Sequence, residues 1–547
     1  MLEGVEVSMP IAEGIRVAPR RDLLIAAGLT VAAASLMMLG PAPGDAPAHL
    51  YRTLLVQHGA VLWDNLWYAG QYPLASYSLL YYFPAALIGN LPLVISAAVA
   101  STVLFALIGF DEWNAVARWP TRAFAVLAAA PVFTGLYSYT LGFAALLAVL
   151  RAVQRKRTWL AIICAALTLG FSPLAFVFLC LILLALLLAK PQITRKTIGL
   201  AIGLVCVAGV EAGVLMMFPS TGVYPFSPFD LVAVIAVCSA GALLARQAHG
   251  RRVMTWFFIA WGVGSLAAYL IPSAVGDNVT RLRAFVFPLM LVAAAEARFR
   301  PRFLTVVALT GAFAYNIGPY LMLVPYRLES KPASVAFWQP AIAYLDRHRD
   351  PNYRVEVVPT AAHWESYWIP RAGYPLARGW YRQLDIASNP FLYQPDLDAA
   401  QYTSWLRRTG VKYVLLPHTQ LDPDGAPGEA RLLRSGIAGL RPVFRSVNWT
   451  IYEFARPRPL LTGPARARVT VMGHQLISGV VSTAGVYTLR VNFNPYWAET
   501  PRVSCVRSGP RGMTLITLRQ PGAFTLRISH SLDALVDSFT RASDTRC

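Results

Sequence analysis

Long apolar stretches alternate with short polar segments through the first 326 residues, and this pattern stops after that point. A helix needs about 20 predominantly apolar residues to cross a bilayer, and many of these stretches approach that length. The pattern therefore predicts a polytopic α-helical membrane protein with about eleven transmembrane helices. The predicted spans are 23–40, 86–110, 122–137, 139–153, 158–170, 172–189, 197–218, 230–245, 254–271, 283–296 and 303–325.

The composition supports this interpretation, because 56% of the residues are hydrophobic, against about 45–50% in soluble domains. The net charge of +20 could indicate a nucleic-acid partner, but the placement of the charge argues against one. With the N-terminus inside, the inner segments hold 18 basic residues and the outer loops hold 3. Basic residues concentrate on the cytoplasmic side of membrane proteins. We therefore expect a multi-pass plasma-membrane protein with a cytoplasmic N-terminus, an extracytoplasmic C-terminal region and no nucleic-acid partner.

The chain after the last span has the pattern of a soluble region with two parts. Residues 327–458 alternate strand and helix patterns, such as YRVEVVP, AAQYTSWLRRTG and VKYVLLP, which predicts an extracytoplasmic α/β domain. Residues 459–547 hold short alternating strands broken by Gly and Pro, which predicts an extracytoplasmic β-sandwich. Such modules often bind carbohydrate. A disulfide between Cys505 and Cys547 is allowed in that compartment.

The first outer loop, about 41–85, carries charged residues at the end of an apolar span. GDAPAHLYR at 44–52 contains Asp45, His49 and Arg52. Pro47 suits the first turn of a helix with Asp45 or Gly44 before it as a cap, so a short interfacial helix is expected. Asp45 and His49 would share a helix face, but two residues do not define a metal site.

Aromatic residues fill the rest of that loop. Trp63, Trp67 and Tyr68 surround Asp64. Such rings suit a belt at the level of the lipid headgroups. They equally suit a sugar site, where rings stack on C–H faces while polar groups bind hydroxyls. Both interpretations stay open.

The last outer loop reads PSAVGDNVTRLRAF, with Asp277 and Asn278 in a turn and Arg281 and Arg283 after it. Short outer loops normally avoid arginine, and the planar guanidinium fork matches the oxygens of a phosphate. These arginines, with Arg52 and the neighbouring acids, indicate an outer polar pocket that holds an anion. The alternatives are unrelated solvated charges and arginines that extend to the interface.

Two further places hold candidate substrate-binding residues. Glu211 is an acid within a predicted span, where acids usually face a cavity or a partner. The segment 363–393 begins with His363 and Trp364, is dense in Trp, Tyr, Arg and acids, and is too long for a passive connection. It suits either carbohydrate contact or a packed plug between the domain and the membrane.

An Asp-bearing first outer loop, an interfacial helix, about eleven spans and an outer C-terminal region together resemble the GT-C superfamily of membrane glycosyltransferases. The local signature is GDAPAH at 44–49, and ARGWYRQLD, YTSWLRRTGVKYVLLP and NFNPYWAE are similar to segments of large actinobacterial members. The relatives include arabinofuranosyl- and mannosyltransferases. The chain lacks an adjacent Asp-Asp or Asp-Glu pair at 45–46, so no cofactor is assigned and a divalent cation stays open.

The resemblance implies transfer of a sugar, arabinofuranosyl or mannosyl, from a polyprenyl-phosphate donor to an envelope glycan or glycolipid outside the cell. Asp45 would be the general base, and Arg281 and Arg283, with Arg52 or His49, would bind the donor phosphate. Such a donor needs no nucleotide site, and no P-loop, Rossmann fingerprint or HExxH motif is present in the sequence. The alternative is a transporter of lipid-linked glycans or a non-catalytic scaffold for envelope assembly.

Overall fold

The structure is a computed structural model that describes residues 19–40, 42–73, 78–218, 222–246, 251–296, 302–327, 331–498 and 503–531. Cys547, with which a disulfide of Cys505 is allowed by the sequence, lies outside these residues.

Helices dominate the first part of the chain, and helix occurs in each of the eleven apolar segments. They are α1 (Arg20–Met38), α2 (Ala46–Gln57), α3 (Tyr82–Ile88), α4 (Asn90–Trp113), α5 (Arg118–Leu127), α6 (Ala130–Thr134), α7 (Tyr137–Gln154), α8 (Thr158–Phe171), α9 (Pro173–Ala189), α10 (Arg195–Met217), α11 (Pro228–Ala245), α12 (Arg251–Leu270), α13 (Val286–Glu296) and α14 (Arg302–Arg327). A 3₁₀ helix, Gly276–Phe285, lies between α12 and α13; we call it the arginine segment.

Seven stretches within the described ranges are long and apolar enough to cross a membrane. They are Arg20–Met38, Asn90–Thr134, Arg195–Met217, Pro228–Ala245, Arg252–Leu270, Gly276–Glu296 and Arg302–Met322. The apolar helices α8 and α9 are shorter, with 14 and 17 residues. The chain is therefore a multi-pass membrane protein by the length and composition of its helices.

Two of these helices, α9 and α11, begin directly after a serine that is followed by a proline. Ser172 and Ser227 each precede a proline, and their hydroxyls accept hydrogen bonds from backbone N–H groups in the first turns of α9 and α11. A serine cap followed by proline satisfies exposed donors and presets the helical backbone. The caps set where α9 and α11 start.

The α/β region follows α14. Its helices are α15 (Val335–Arg347), α16 (Glu365–Arg371), α17 (Arg382–Ser388), α18 (Ala399–Thr409) and α19 (Pro427–Ser435). Its strands are β1 (Arg354–Val357), β2 (Val411–Pro417), β3 (Leu440–Arg445) and β4 (Trp449–Phe454). They form one sheet in the order β1-β2-β4-β3, in which β1 and β2 are parallel and the other pairs antiparallel.

The C-terminal region is built of antiparallel strands. They are β5 (Leu461–Thr462), β6 (Ala467–Met472), β7 (Leu476–Val481), β8 (Gly485–Asn492), β9 (Trp497–Ala498), β10 (Val503–Ser508), β11 (Met513–Leu518) and β12 (Gly522–Ile528). They form two four-stranded sheets, β10-β11-β8-β5 and β6-β7-β12-β9. Tyr487 and Phe524, one from each sheet, belong to one hydrophobic core.

The α/β region and the β-stranded region both pack on the loop that the sequence predicts as the first outer loop. Tyr51 of α2 and Trp67 share a hydrophobic core with Trp449 of the α/β region. Trp63 belongs instead to the core of the β-stranded region. The helix α2 forms where the sequence predicts a short helix, and most of its residues are buried, with α16 of the α/β region against it.

Candidate active site

Asp45 and the arginine segment line the same cavity, which has a volume of about 220 Å³. The lining combines the start of α2, residues of α5 to α7, the loop before α11, the arginine segment and α14. Asp45, Asp277, Asn278, Arg281 and Arg283, which come from two distant loops of the sequence, all line this cavity. We call it the Asp45 cavity.

The backbone holds Asp45 against the turn that follows α6. The N–H of Asp45 donates to the carbonyl of Thr134 at 3.3 Å. Asp45 precedes α2 at the cap position, yet its carboxylate makes no capping hydrogen bond. Gly135 sits beside it with φ +87°, and a Cβ there would lie 2.7 Å from the N of Ala46 and 3.0 Å from the N of Asp45. The turn can approach Asp45 this closely only because residue 135 is glycine.

Three side chains from other helices anchor the arginine segment through its carbonyl groups. Trp261 Nε1 donates to the carbonyl of Val279 at 3.0 Å, the Tyr139 hydroxyl to that of Arg281 at 3.2 Å, and Asn316 Nδ2 to that of Arg283 at 2.5 Å. Backbone carbonyls away from water need such donors. The anchors fix the backbone from which both arginines extend.

Arg283 is oriented by its own segment and by a ring. Its Nε and Nη2 donate to the carbonyl and the hydroxyl of Thr280 at 3.2 and 2.5 Å. The guanidinium carbon lies 5.3 Å from the ring centroid of Tyr315. The two hydrogen bonds to Thr280 and the contact with the Tyr315 ring hold the guanidinium of Arg283 in a defined position at the cavity wall.

Asp277 places a second carboxylate in the cavity. Its backbone N–H donates to the carbonyl of Pro225 at 3.3 Å. Its buried Oδ1 has no hydrogen-bond partner in the part of the chain that the structure describes. A buried polar atom of this kind is costly unless something binds to it. The cavity therefore presents an acceptor for a donor group of a ligand.

Tyr224 also lines the cavity, and nothing in the sequence indicated it. Its N–H donates to the carbonyl of Ser273 at 2.9 Å. Burial raises the pKa of Tyr224, the charge of Arg281 opposes this rise, and those of Asp45 and Asp277 add to it. At the start of the same loop, a Cβ on Gly222 would lie 2.5 Å from the carbonyl of Gln383 in α17. The loop thus connects the cavity to the α/β region.

His49 and Arg52 do not belong to the residues that line the Asp45 cavity. His49 stacks on Tyr137 at 5.4 Å, and its Nδ1 lies 3.1 Å from the hydroxyl of Tyr82. Burial, then the charges of Arg52 and Arg281, lower the pKa of His49 to about 3, so the ring is neutral at pH 7. Arg52 donates to the carbonyl of Pro73, and its guanidinium carbon lies 4.6 Å from the ring centroid of Tyr381. Both residues pack the loop in place.

Asp64 and its aromatic neighbours join the first outer loop to the soluble regions. The Tyr51 hydroxyl donates to Oδ2 of Asp64 at 2.9 Å, and Nδ1 of His474 lies 2.9 Å from Oδ1. Trp67 Nε1 donates to the carbonyl of Ser366 at 3.0 Å. Trp63 Nε1 donates a hydrogen bond to Oδ1 of Asn65, and the N–H of Tyr381 donates one to the Tyr68 hydroxyl. The predicted sugar-binding residues are thus packed inside the protein.

The last three predicted residues are also buried away from the Asp45 cavity. His363 stacks on Trp380 at 3.3 Å between ring centroids, and its Nδ1 lies 3.0 Å from Oε1 of Glu365. Trp364 is buried beside it. Glu211 is the one buried residue of α10. His363 and Trp364 are therefore packed among residues of the α/β region.

Within the described ranges, no group of three or more His, Cys, Asp and Glu side chains is arranged to hold a metal ion.

Two membrane proteins are among the solved structures to which the chain is similar. The chain is similar to the arabinofuranosyltransferase AftD from mycobacteria, with a TM-score of 0.47 and 12% identity over 95% of this chain and 58% of that one. This chain thus spans little more than half of that protein's length. It is also similar to ArnT from Cupriavidus metallidurans, solved with bound undecaprenyl phosphate, with a TM-score of 0.40 and 11% identity over 79% of this chain and 97% of that one.

No family profile matches the sequence, and the search of curated proteins finds no match either. The GT-C superfamily, which the sequence resembles, also includes arabinofuranosyltransferases. Because both structural similarities are low, the activity of this chain is inferred from its own side chains.

Proposed function

We propose that this protein transfers a sugar from a polyprenyl-phosphate donor to an envelope glycan or glycolipid, with arabinofuranosyl or mannosyl as the sugar. The observation that carries the proposal is that Asp45, Arg281 and Arg283 line one cavity. A carboxylate facing two guanidinium groups suits a displacement in which a hydroxyl loses a proton while a phosphate leaves.

The proposed reaction is a direct displacement at the anomeric carbon. Asp45 accepts the proton of the acceptor hydroxyl, whose oxygen forms the new bond to that carbon. The bond from the carbon to the phosphate oxygen breaks, and the electron pair leaves with the polyprenyl phosphate. Arg281 and Arg283 stabilise the charge that develops on this phosphate.

Other lining residues fit roles in holding the sugar. Oδ1 of Asp277, which lacks a partner among the described residues, can accept a sugar hydroxyl, and Asn278 and Tyr224 offer further polar groups on the same wall. Thr280 and Tyr315 are positioning residues, because they contact Arg283 and orient its guanidinium. His49, Arg52, Asp64 and Glu211 do not line the Asp45 cavity, and the proposed reaction assigns them no step.

We also propose the membrane arrangement that the charge bias predicts. All eleven apolar segments would cross the bilayer, with the N-terminus inside and the Asp45 cavity near the outer face. The membrane domain would end at residue 326, the α/β domain would cover 327–458, and the two antiparallel sheets of 459–547 would form a β-sandwich. The donor's chain would then stay in the bilayer while its sugar reaches the cavity.

The test is sugar transfer by the purified full chain in nanodiscs. Labelled decaprenyl-phosphate arabinose and mannose are each supplied with envelope-glycan acceptors. Asp45→Asn is expected to lower the transfer rate by about 100-fold or more, which is the range for losing a general base. Asp396→Asn, an exposed carboxylate in the α/β region, is the matched control and should transfer at the wild-type rate.

Two other outcomes of this assay would change the proposal. Transfer that survives in Asp45→Asn removes Asp45 as the general base and keeps the enzyme class. Absence of transfer by folded wild-type protein, with every donor and acceptor tried, contradicts the proposal. Movement of a labelled lipid-linked glycan across vesicles by that same protein would then favour the transporter alternative.

A further inference from the structure

A second cavity of about 1,060 Å³ lies among α4, α7, α9, α12 and α13. Its walls are apolar, with residues such as Ile108, Leu147, Ile182, Met254 and Leu289. Its volume is at the upper end of the range for ligand sites in proteins. We call it the apolar cavity.

The polar lining residues of the apolar cavity all lie at one end. Glu112 and Gln154 are near the last residues of α4 and α7, Lys190 follows α9, and Arg252 is in the first turn of α12. The body of the cavity therefore offers nothing to bind hydroxyls or a nucleotide, and its mouth offers charges. That polarity matches a lipid, with an apolar chain inside and a polar head at the mouth.

The apolar cavity is separate from the Asp45 cavity. The two linings have no residue in common. Phe105 and Phe285 line the apolar cavity and Phe143 lines the other one, and the rings of Phe143 and Phe285 are 5.1 Å apart between centroids. Packed phenylalanines thus close the end of the apolar cavity that lies opposite its mouth.

The charges at the mouth favour an anionic head group. Lys190 and Arg252 are exposed and form no ion pair with any residue that the structure describes. Glu112, the acid at the mouth, accepts a hydrogen bond from Nε2 of Gln154 at 3.0 Å. Basic pockets between membrane helices are typical sites for anionic lipid head groups.

We propose that the apolar cavity binds an anionic membrane phospholipid, with acyl chain between α7 and α9 and phosphate against Lys190 and Arg252. Phe285, at the closed end, is the last residue of the arginine segment. A bound chain would therefore pack against the element that carries Arg281 and Arg283. The binding claim itself does not depend on the proposed transferase activity.

The test is native mass spectrometry of the delipidated full chain with added phosphatidylglycerol, and with phosphatidylcholine of the same chains. We expect one phosphatidylglycerol to bind preferentially. The double variant Lys190→Ala/Arg252→Ala should weaken that binding by about 30-fold, because each basic side chain near anionic lipid contributes roughly fivefold. Ala185→Trp, which fills the cavity from α9, should abolish it.

Two control variants change residues that are close in sequence to the tested ones but do not line the apolar cavity. Lys196→Ala removes an exposed cation away from the mouth, and Leu184→Trp adds the same ring on the exposed face of α9; both should bind phosphatidylglycerol as wild type does. Equal binding of phosphatidylcholine, or wild-type binding by both the double variant and Ala185→Trp, would overturn the proposal. Decaprenyl phosphate that displaces phosphatidylglycerol from this site at lower concentration would overturn its assignment to a phospholipid.

Discussion

Gly135 provides a test of how closely Asp45 must be positioned. Its backbone has φ +87°, and its N–H donates to the carbonyl of Pro131 at 2.8 Å. A Cβ at this position would meet backbone atoms of Asp45 and Ala46 at 2.7 to 3.0 Å. Backbone atoms cannot rotate aside as a flexible side chain can, so Gly135→Ala must move the start of α2 away from the turn.

The expected magnitude has two parts that a control can separate. An alanine forced into the left-handed region costs about 1–2 kcal/mol of folding stability wherever it occurs. Gly59 has φ +69° and open space around its Cβ position, so Gly59→Ala carries this cost alone. Gly135→Ala adds the displacement of Asp45, and a catalytic group misplaced by about 1 Å loses up to about 100-fold in rate.

The assay compares kcat for sugar transfer and thermal stability in both variants. We expect Gly135→Ala to lose more stability than Gly59→Ala, because it also displaces the backbone of Asp45 and Ala46. Gly135→Ala alone should lose kcat, by more than about 10-fold, within that limit for a misplaced group. A Gly135→Ala protein that folds and retains wild-type kcat would refute the reasoning, because Asp45 would then not need its position.

Three other predictions concern the soluble regions. Burial by itself lowers the pKa of His363, but hydrogen bonds with Asp422 and Glu365 outweigh burial and raise it. The protonated ring then stabilises the fold fully below about pH 6.5, the pKa of an unfolded histidine, and this contribution is lost as pH rises through the folded pKa. His363→Gln should therefore lower the melting temperature more at pH 6 than at pH 9. Arg378→Met should destabilise the fold by about 3–5 kcal/mol, because three buried carboxylates lose their cation. Asp64→Asn should cost about 1–3 kcal/mol with kcat unchanged, since its role is to join the first outer loop to the β-stranded region.

Each of these has a result that would contradict it. A loss from His363→Gln that is the same at both pH values would mean that the ring is neutral in the fold. Wild-type denaturant stability of Arg378→Met, with exposed Arg441→Met as the control, would show that the buried charges are balanced in another way. A fall in kcat for folded Asp64→Asn would return Asp64 to the candidate active site.

The sequence predicts the grouping of Asp45 with Arg281 and Arg283 because arginine is unusual in short outer loops, and both loops also carry acids. In the structure these three residues line one cavity, which accounts for the arginines in the last outer loop. The same argument also groups Arg52 with these residues, but Arg52 does not line the Asp45 cavity. Its guanidinium stacks on Tyr381, a residue of the α/β region, and such a contact across regions has no local signature.

The density of aromatic residues in the first outer loop does not distinguish a sugar site from packing under a domain. Trp63, Trp67 and Tyr68 suit stacking on a sugar ring, and they suit packing under a domain equally well. Which one occurs depends on what covers the loop. The covering residues, such as Trp449 and His474, are hundreds of positions away.

Regular elements are predictable where the local pattern is strong. The strands at 411–417 and 485–492 form where alternation predicts them, and α18 ends at Gly410, which has φ +76°. β3 is not predictable in this way, because it lies at an edge of the sheet and none of its residues is fully buried. Tyr224 and Gly135 acquire their importance only through close approach in three dimensions.

The most direct test of the central claim separates donor binding from chemistry in one experiment. Binding of labelled decaprenyl-phosphate arabinose to the full chain in nanodiscs is measured first, and single-turnover transfer on adding acceptor is measured next. We predict that Asp45→Asn binds donor as wild type does and transfers it at least about 100-fold more slowly. We predict that Arg281→Ala/Arg283→Ala loses donor binding itself. Wild-type transfer by Asp45→Asn, together with unchanged donor binding by the arginine variant, would contradict the account.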